Sequence, residues 1–138
     1  MTKEQLATMA KGAMEQAYSP YSGYKVGAAL LCKDGTVYTG CNVENASFSA
    51  TNCAERTAFF RAVYEGEREF TKIAIVGGMD TTDGNATCAP CGVCRQVMME
   101  FCNPETFKIV LANGTDEPLE YTLKELLPLG FGPNNLGK

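Results

Sequence analysis

The run Val26-Gly27-Ala28-Ala29-Leu30-Leu31 decides the fold of this chain. Six apolar or small residues in succession are too continuous for a strand that has one face in water, and the pattern is typical of a strand buried on both faces. The run therefore predicts a strand over residues 25–32. A sheet covered on both faces needs a helical layer on each side, which indicates a layered α/β domain.

Helix and strand patterns alternate on both sides of this run. Thr2 and Gln5 form a capping box that opens a first helix, and Asp34-Gly35 predicts a hairpin turn between two strands. The predicted helices cover residues 3–17, 53–65 and 91–101, and a short last helix follows Thr122. The predicted strands cover residues 25–32, 36–41, 72–76, 107–112 and 119–121. Loops are predicted over 42–52 and 77–89, a turn at Asn113-Gly114, and a tail over 128–138. These elements predict an α/β fold, a three-layer α/β/α sandwich around one mixed five-stranded sheet, in a single domain over residues 1–138.

Composition restricts the class of protein. The sequence has 138 residues, a net charge of −4 and no basic cluster, whereas a protein that grips a polyanionic backbone usually carries a basic stripe. Nucleic acid is therefore disfavoured as a partner, and a small neutral ligand is favoured. No apolar run approaches the roughly 20 residues of a membrane helix, and the polar N-terminus does not resemble a signal peptide. We therefore expect a cytoplasmic protein with no membrane partner.

The chain has seven cysteines and no histidine. Thiols stay reduced in the cytoplasm, and an odd count cannot form a fully paired framework, so we expect metal ligands and buried thiols rather than disulfides. Cys32, Cys41 and Cys102 are expected to be buried small hydrophobes.

Two motifs carry the chemistry, Cys53-Ala54-Glu55 and Pro90-Cys91-Gly92-Val93-Cys94. Three thiols and one carboxylate are what a zinc site needs to activate water and to move a proton. The pattern is that of zinc-dependent base deaminases, in which the glutamate stands outside the metal shell. Three ligands leave the fourth tetrahedral position open, as catalytic zinc requires.

A second Cys-x-x-Cys pair overlaps the second motif, because Cys88 stands three residues before Cys91. Spacing alone leaves either pair open as metal ligands. Pro90 suits the position just before a helix, which would place Cys91 and Cys94 together on the first helical turn.

Three stretches carry a resemblance to a known family: Asn42-Val43-Glu44-Asn45-Ala46, Cys53-Ala54-Glu55-Arg56-Thr57 and Pro90-Cys91-Gly92-Val93-Cys94-Arg95-Gln96-Val97. Together they resemble the small homotetrameric zinc-dependent cytidine deaminases, over nearly the whole chain. The resemblance implies the fold of that family, one zinc ion per chain, and sites shared between the subunits of a tetramer. It also implies hydrolytic deamination of cytidine and deoxycytidine, in which a zinc-bound hydroxide attacks C4 of the cytosine ring.

The resemblance implies roles for single residues. Cys53, Cys91 and Cys94 would be the zinc ligands, and Glu55 would be the catalytic residue that moves protons from water to N3 and to the leaving ammonia. Arg56 lies three residues beyond Cys53, on the same helix face. Its guanidinium would bond a ligand sulfur and restore the electrophilicity that three thiolates take from the metal. The implied substrate contacts are Asn42 and Glu44 at the ribose 3′-hydroxyl, Tyr24 near the base, the backbone N–H of Ala54, Ala46, and Phe131 from a neighbouring subunit.

Plainer interpretations stand beside these roles. Glu55 and Arg56 could be ordinary residues of a solvated helix face, and Phe131 could pack on the core of its own chain. Arg95 and Gln96 are expected to serve helix packing or subunit contacts. The whole chain could also be a deaminase of a cytosine-like antibiotic nucleoside of the blasticidin S type. Alternatively, it could be a non-catalytic zinc-stabilised module in which Cys88 is the fourth ligand.

Overall fold

The computed structural model describes residues 1–79, 87–112 and 117–138. Its helices are α1 (Lys3–Met14), α2 (Ala54–Tyr64), α3 (Gly92–Phe101) and α4 (Leu123–Leu126), its strands are β1 (Tyr24–Cys32), β2 (Val37–Cys41), β3 (Phe70–Met79), β4 (Lys108–Ala112) and β5 (Leu119–Thr122), and short 3₁₀ helices cover Phe48–Ala50 and Pro133–Leu136. The turn predicted at Asn113-Gly114 and most of the loop predicted over 77–89 lie outside the described residues. None of the described helices has the length and hydrophobicity needed to cross a bilayer.

The five strands form one sheet in the order β2-β1-β3-β4-β5. Strand β1 pairs antiparallel with both β2 and β3, β3 pairs parallel with β4, and β4 pairs antiparallel with β5. The sheet is therefore mixed, as the sequence predicts, and β3 is its central strand, with β1 and β4 on either side.

Strand β1 is buried on both faces, which confirms the interpretation of its apolar run. Ala28 and Leu30 pack into a core with α2 and α3 on one side of the sheet. Ala29 packs into a second core with α1 on the other side. The two cores lie on opposite faces of one sheet, and the three-layer α/β/α arrangement follows from them.

Two glycines set how closely the helices approach the sheet. A Cβ atom at Gly27 would lie 2.0 Å from the carbonyl oxygen of Ala10 in α1, and a Cβ atom at Gly40 would lie 2.6 Å from the carbonyl oxygen of Ala54 and from the amide nitrogen of Ala58. Only a residue without a side chain fits at either place. Gly40 thereby lets the first turn of α2 lie directly on β2.

Helix α1 ends earlier than predicted, at Met14 rather than at residue 17. The chain turns away after it because Tyr18 forms a bridge with Val43, and the Tyr18 N–H donates to the carbonyl oxygen of Asn42 at 3.0 Å. A contact with a segment more than twenty residues away thus overrides the local helical pattern.

Strand β3 is longer than predicted. It continues through Gly77 and Gly78, which we assigned to a loop, as far as Met79. The start of β1 pairs with this extension, with Tyr24 opposite Met79 and Lys25 opposite Gly78. The pairing supplies the backbone partners that keep two successive glycines in a strand.

All seven cysteines are free, as expected. Cys32 and Cys102 are buried in the core shared with α2 and α3. Cys41 is only half-buried and donates a weak hydrogen bond from its thiol to the carbonyl oxygen of Gln16, so the prediction of a buried Cys41 is wrong. Its position near the end of β2, beside the turn after α1, leaves one side of the residue open.

Candidate active site

The two cysteine motifs meet at the N-termini of two helices on one face of the sheet. Cys53 is the N-cap residue of α2, Cys91 is the N-cap residue of α3, and Cys94 lies in the first turn of α3. The first N–H groups of a helix have no intrahelical partner, and the helix dipole adds positive partial charge there. Both effects favour thiolates, so the local structure suits the predicted ligands.

The three sulfur atoms form a compact cluster. The Sγ atom of Cys91 lies 3.7 Å from that of Cys53 and 3.4 Å from that of Cys94, and all three sulfurs lie within 4.8 Å of one another. Tetrahedral zinc with Zn–S bonds of about 2.3 Å separates its sulfur ligands by about 3.8 Å. The spacing is therefore that of a zinc site, and it is far too long for a disulfide.

Arg56 reaches the cluster from the first turn of α2. Its Nη2 atom donates to the Sγ atom of Cys53 at 3.3 Å, which agrees with the predicted contact. Hydrogen bonds from the thiol of Cys94 and from Arg56 lower the pKa of the Cys53 thiol to about 5, against the opposing effect of burial. The same bond to Cys53 raises the pKa of the Cys94 thiol.

Glu55 is buried, with only 4% of its surface exposed. Loss of water around the carboxyl group is the main cause that raises its pKa to about 7, and the charge of Cys53 acts in the same direction. A carboxyl group with a pKa near neutral is able both to accept and to release a proton. The structure therefore rules out a solvated helix-face position for Glu55.

Cys88 stands beside the cluster without joining it. Among the described residues, the group of sulfurs close enough to hold one cation consists of Cys53, Cys91 and Cys94. Cys88 instead contacts Tyr24, and both side chains lie over the bare backbone of Gly77. Burial raises the pKa of the Cys88 thiol to about 11. This arrangement argues against a closed four-sulfur site.

Tyr24 lies at the start of β1, half-buried and next to Cys88. Burial is the main cause that raises the pKa of its hydroxyl to about 12, and the neighbouring Cys88 adds to the shift. The hydroxyl therefore stays protonated and is able to donate a hydrogen bond.

Asn42 and Glu44 lie in the segment that follows β2. The Asn42 side chain is buried and ties down β1, because its Oδ1 atom accepts from the N–H of Val26 at 2.9 Å and its Nδ2 atom donates to the carbonyl oxygen of Tyr24 at 2.8 Å. One Nδ2 hydrogen and one Oδ1 lone pair remain for another partner.

The Glu44 carboxylate is held by the loop that precedes β1. Its Oε1 atom accepts from the N–H groups of Tyr21 at 2.9 Å and Ser22 at 3.1 Å, and its Oε2 atom accepts from the Ser22 hydroxyl. These bonds, the one from the Ser22 hydroxyl above all, lower the pKa of Glu44. Glu44 and Phe48 line a surface cavity of about 340 Å³ with Tyr21 and Ser22.

The remaining predicted contacts occupy different surroundings. Ala54 is fully buried at the first position of α2, where its N–H has no helical partner. Ala46 is exposed in the loop before Phe48–Ala50. Phe131 keeps 57% of its surface exposed, so it does not pack into the core of its own chain. Whether these residues touch a substrate stays a prediction.

Sequence reasoning missed two sets of supporting residues. Ser22 was assigned only to a loop, although it carries most of the hydrogen bonding to Glu44. Arg95 and Gln96 were assigned to packing, and they bind the backbone of the C-terminal segment. The partners lie 22 to 35 residues apart in sequence, so no local pattern indicates them.

Comparison with known proteins agrees with this geometry. Residues 1–110 match the family model described as the cytidine and deoxycytidylate deaminase zinc-binding region. The chain is 48% identical over 136 residues to a cytidine deaminase of Sporosarcina psychrophila, with 99% of this chain and 96% of the relative covered. It is 49% identical over 131 residues to a cytidine deaminase of Halalkalibacterium halodurans, with 95% of each covered.

Solved structures show the same fold. The crystal structure of cytidine deaminase from Burkholderia pseudomallei has a TM-score of 0.86 to this chain at 49% identity, and covers 95% of this chain and 100% of its own. The crystal structure of cytidine deaminase from Mycobacterium tuberculosis has a TM-score of 0.81 at 38% identity, with 96% and 98% covered. The predicted fold class is confirmed.

Proposed function

The chain belongs to the family of cytidine and deoxycytidylate deaminases with a zinc-binding region, and we propose that it hydrolyses cytidine and deoxycytidine to uridine and deoxyuridine with release of ammonia. One observation carries the proposal: three free thiols within 4.8 Å of one another lie next to a buried glutamate. Relatives that match nearly the full length of this chain are cytidine deaminases.

Cys53, Cys91 and Cys94 would hold the zinc ion. When bound, zinc supplies a Lewis acid that brings the pKa of water close to neutral. The carboxylate of Glu55 would take one proton from the attacking water and deliver it to N3 of the cytosine ring. It would then take a second proton from the hydroxyl group formed at C4 and deliver it to the departing amino group, which leaves as ammonia. Burial suits these tasks, because bulk water cannot exchange the proton and a single carboxyl group can return what it has taken.

Asn42 and Glu44 would recognise the sugar. Three of the roughly four acceptor sites of the Glu44 carboxylate are used by Tyr21 and Ser22, so about one remains for the hydrogen of a hydroxyl. The free Nδ2 hydrogen of Asn42 suits the oxygen of the same hydroxyl. A carboxylate repels phosphate, and this pair therefore favours a nucleoside over a nucleotide.

The other substrate contacts complete the proposal. Tyr24 supplies a ring beside the base, the N–H of Ala54 faces the pyrimidine carbonyl oxygen, and Ala46 lines the loop at the sugar side. The active enzyme is a cytoplasmic homotetramer, in which Phe131 of one subunit closes the site of its neighbour. The large exposed fraction of the Phe131 ring supports that last role.

A spectrophotometric assay tests the function. Cytidine mixed with the zinc-loaded protein should lose its cytosine absorption band, whereas Glu55→Gln should retain zinc and show no turnover. Glu65→Gln is a matched control, because it makes the same chemical change at an exposed residue at the end of α2, and it should remain active. Zinc-loaded wild type without turnover on cytidine or deoxycytidine would refute the proposed reaction, and an active Glu55→Gln variant would refute the role of Glu55.

A further inference from the structure

The segment from Leu126 to Phe131 is fastened to α3 at both ends. Nη1 of Arg95 donates a short hydrogen bond to the carbonyl oxygen of Leu126. Nε2 of Gln96 donates to the carbonyl oxygen of Phe131 at 2.8 Å. Both donors directly follow Cys94, so the helix that presents two metal ligands also holds this segment.

Between the two bonds the chain adopts a costly conformation. Leu129 has a φ angle of 55°, the left-handed region that residues other than glycine seldom enter. Its side chain is fully exposed, so no burial of the side chain repays this strain. Such a conformation persists only where the surroundings impose it, and it is often found at functional sites.

The backbone beside Phe131 packs closely against the side chain of Met99 in α3. A Cβ atom at Gly130 would lie 3.1 Å from the sulfur of Met99, and one at Gly132 would lie 3.0 Å from its methyl carbon. The backbone on both sides of Phe131 therefore lies directly against α3. The ring itself points away from this contact, with more than half of its surface exposed.

We propose that Arg95 and Gln96 are positioning residues. They hold the Leu126–Phe131 segment rigid, so that the Phe131 ring is presented outward to the nucleoside site of a neighbouring subunit. This inference rests on the proposed role of Phe131 as a substrate contact. A free segment would have to be ordered each time substrate binds, and that entropy cost would appear as weaker binding. The hydrogen bonds from Arg95 and Gln96 order the segment before substrate binds, so this entropy cost does not weaken binding.

Steady-state kinetics of Gln96→Met, Arg95→Met and Phe131→Ala on cytidine test the inference. Methionine is unbranched and cannot donate a hydrogen bond, so each substitution at 95 or 96 mainly removes an anchor. We expect Gln96→Met to raise KM roughly 2- to 5-fold, the factor that one exposed neutral hydrogen bond is worth, with kcat and zinc content unchanged. Gln16→Met, at an exposed glutamine after α1, is the control and should keep the wild-type KM.

The double variants separate this inference from the role of Phe131. If Gln96 acts through the Phe131 ring, Gln96→Met should raise KM in the wild type and add almost nothing to Phe131→Ala. A wild-type KM in both Gln96→Met and Arg95→Met, beside a raised KM in Phe131→Ala, would overturn the positioning role alone. Effects that multiply in the double variants would also overturn it. An unchanged KM in Phe131→Ala would overturn the substrate role of Phe131 and the inference with it.

Melting temperatures and zinc content identify a variant that has merely unfolded. If Gln96→Met unfolds, Gln96→Glu replaces it, because an ionised glutamate also lacks a donor for the carbonyl oxygen of Phe131.

Discussion

Replacement of Gly40 by alanine should release zinc from a protein that stays folded. The added Cβ would lie 2.6 Å from the backbone of Ala54 and Ala58, whereas ordinary contact begins at 3.4 Å. Both contacts are with backbone atoms, so no side chain can move aside and α2 must retreat by roughly 0.8 Å, the difference between these distances. Its first turn carries Cys53 together with Glu55, and metal–ligand distances tolerate only about 0.2 Å.

Two quantities should therefore change in Gly40→Ala. The free energy of unfolding should fall by about 1–3 kcal/mol, the usual cost of overpacking a core. The affinity for zinc should fall roughly tenfold or more, about 1.4 kcal/mol, and kcat should fall with it. Release of zinc to a colorimetric chelator, measured well below the melting temperature, reports the second effect directly.

Gly27→Ala is the matched control. Its Cβ would lie 2.0 Å from the carbonyl oxygen of Ala10, so it should displace α1 and destabilise the protein at least as much. Helix α1 carries none of the predicted site residues and lies on the opposite face of the sheet. Zinc should therefore stay bound in Gly27→Ala. Equal rates of zinc release from both variants and the wild type would refute the reasoning that Gly40 sets the position of the ligands.

Three further predictions concern the site. Arg56→Ala removes the donor to a predicted ligand sulfur and should lower activity or zinc affinity about 10- to 100-fold. Arg61→Ala, the same change at an exposed position of α2, should lower neither; an Arg56→Ala variant that keeps its zinc and its activity would contradict the role of Arg56. Cys88→Ser should retain one zinc ion and near wild-type turnover, as measured by metal analysis and kinetics, because this thiol stands outside the cluster; loss of zinc would favour a four-sulfur site. Ser22→Ala should raise the pKa of Glu44, so the increase in cytidine KM as Glu44 is protonated should begin at a higher pH than in the wild type; an unshifted pH profile of kcat/KM would contradict the sugar contact.

Features that depend on neighbouring residues could be predicted from the sequence. The capping box predicted at Thr2 forms, and the short helix predicted after Thr122 also opens with a capping box. Gly35 adopts a positive φ of 91° in the predicted hairpin turn, where the N–H of Thr36 donates to Asp34. Each of these depends on residues at most three apart, and their local energies agree with the final fold.

Features that depend on distant pairing could not be predicted. Gly77 and Gly78 fall in the loop predicted over residues 77–89, and only the partner strand β1 shows that they pair. The partners of Glu44 lie 22 and 23 residues away. The convergence of the two cysteine motifs is of the same kind: each motif is local, but spacing alone left Cys88 open as a ligand, and the sheet decides which sulfurs meet.

The absence of histidine is the physical reason to expect a role for Arg56 at this site. A neutral imidazole ligand adds no charge, whereas three thiolates and Zn²⁺ sum to −1, and an electron-rich metal polarises water poorly. Two hydrogen bonds offset this charge: Arg56 donates to Cys53 at 3.3 Å, and the N–H of Cys94 donates to the sulfur of Cys91 at 3.5 Å. Both donors belong to the first turns of α2 and α3, the same turns that carry the ligands. The helix N-termini therefore carry the predicted ligands and also the donors that would reduce the charge that three thiolates bring to a catalytic metal.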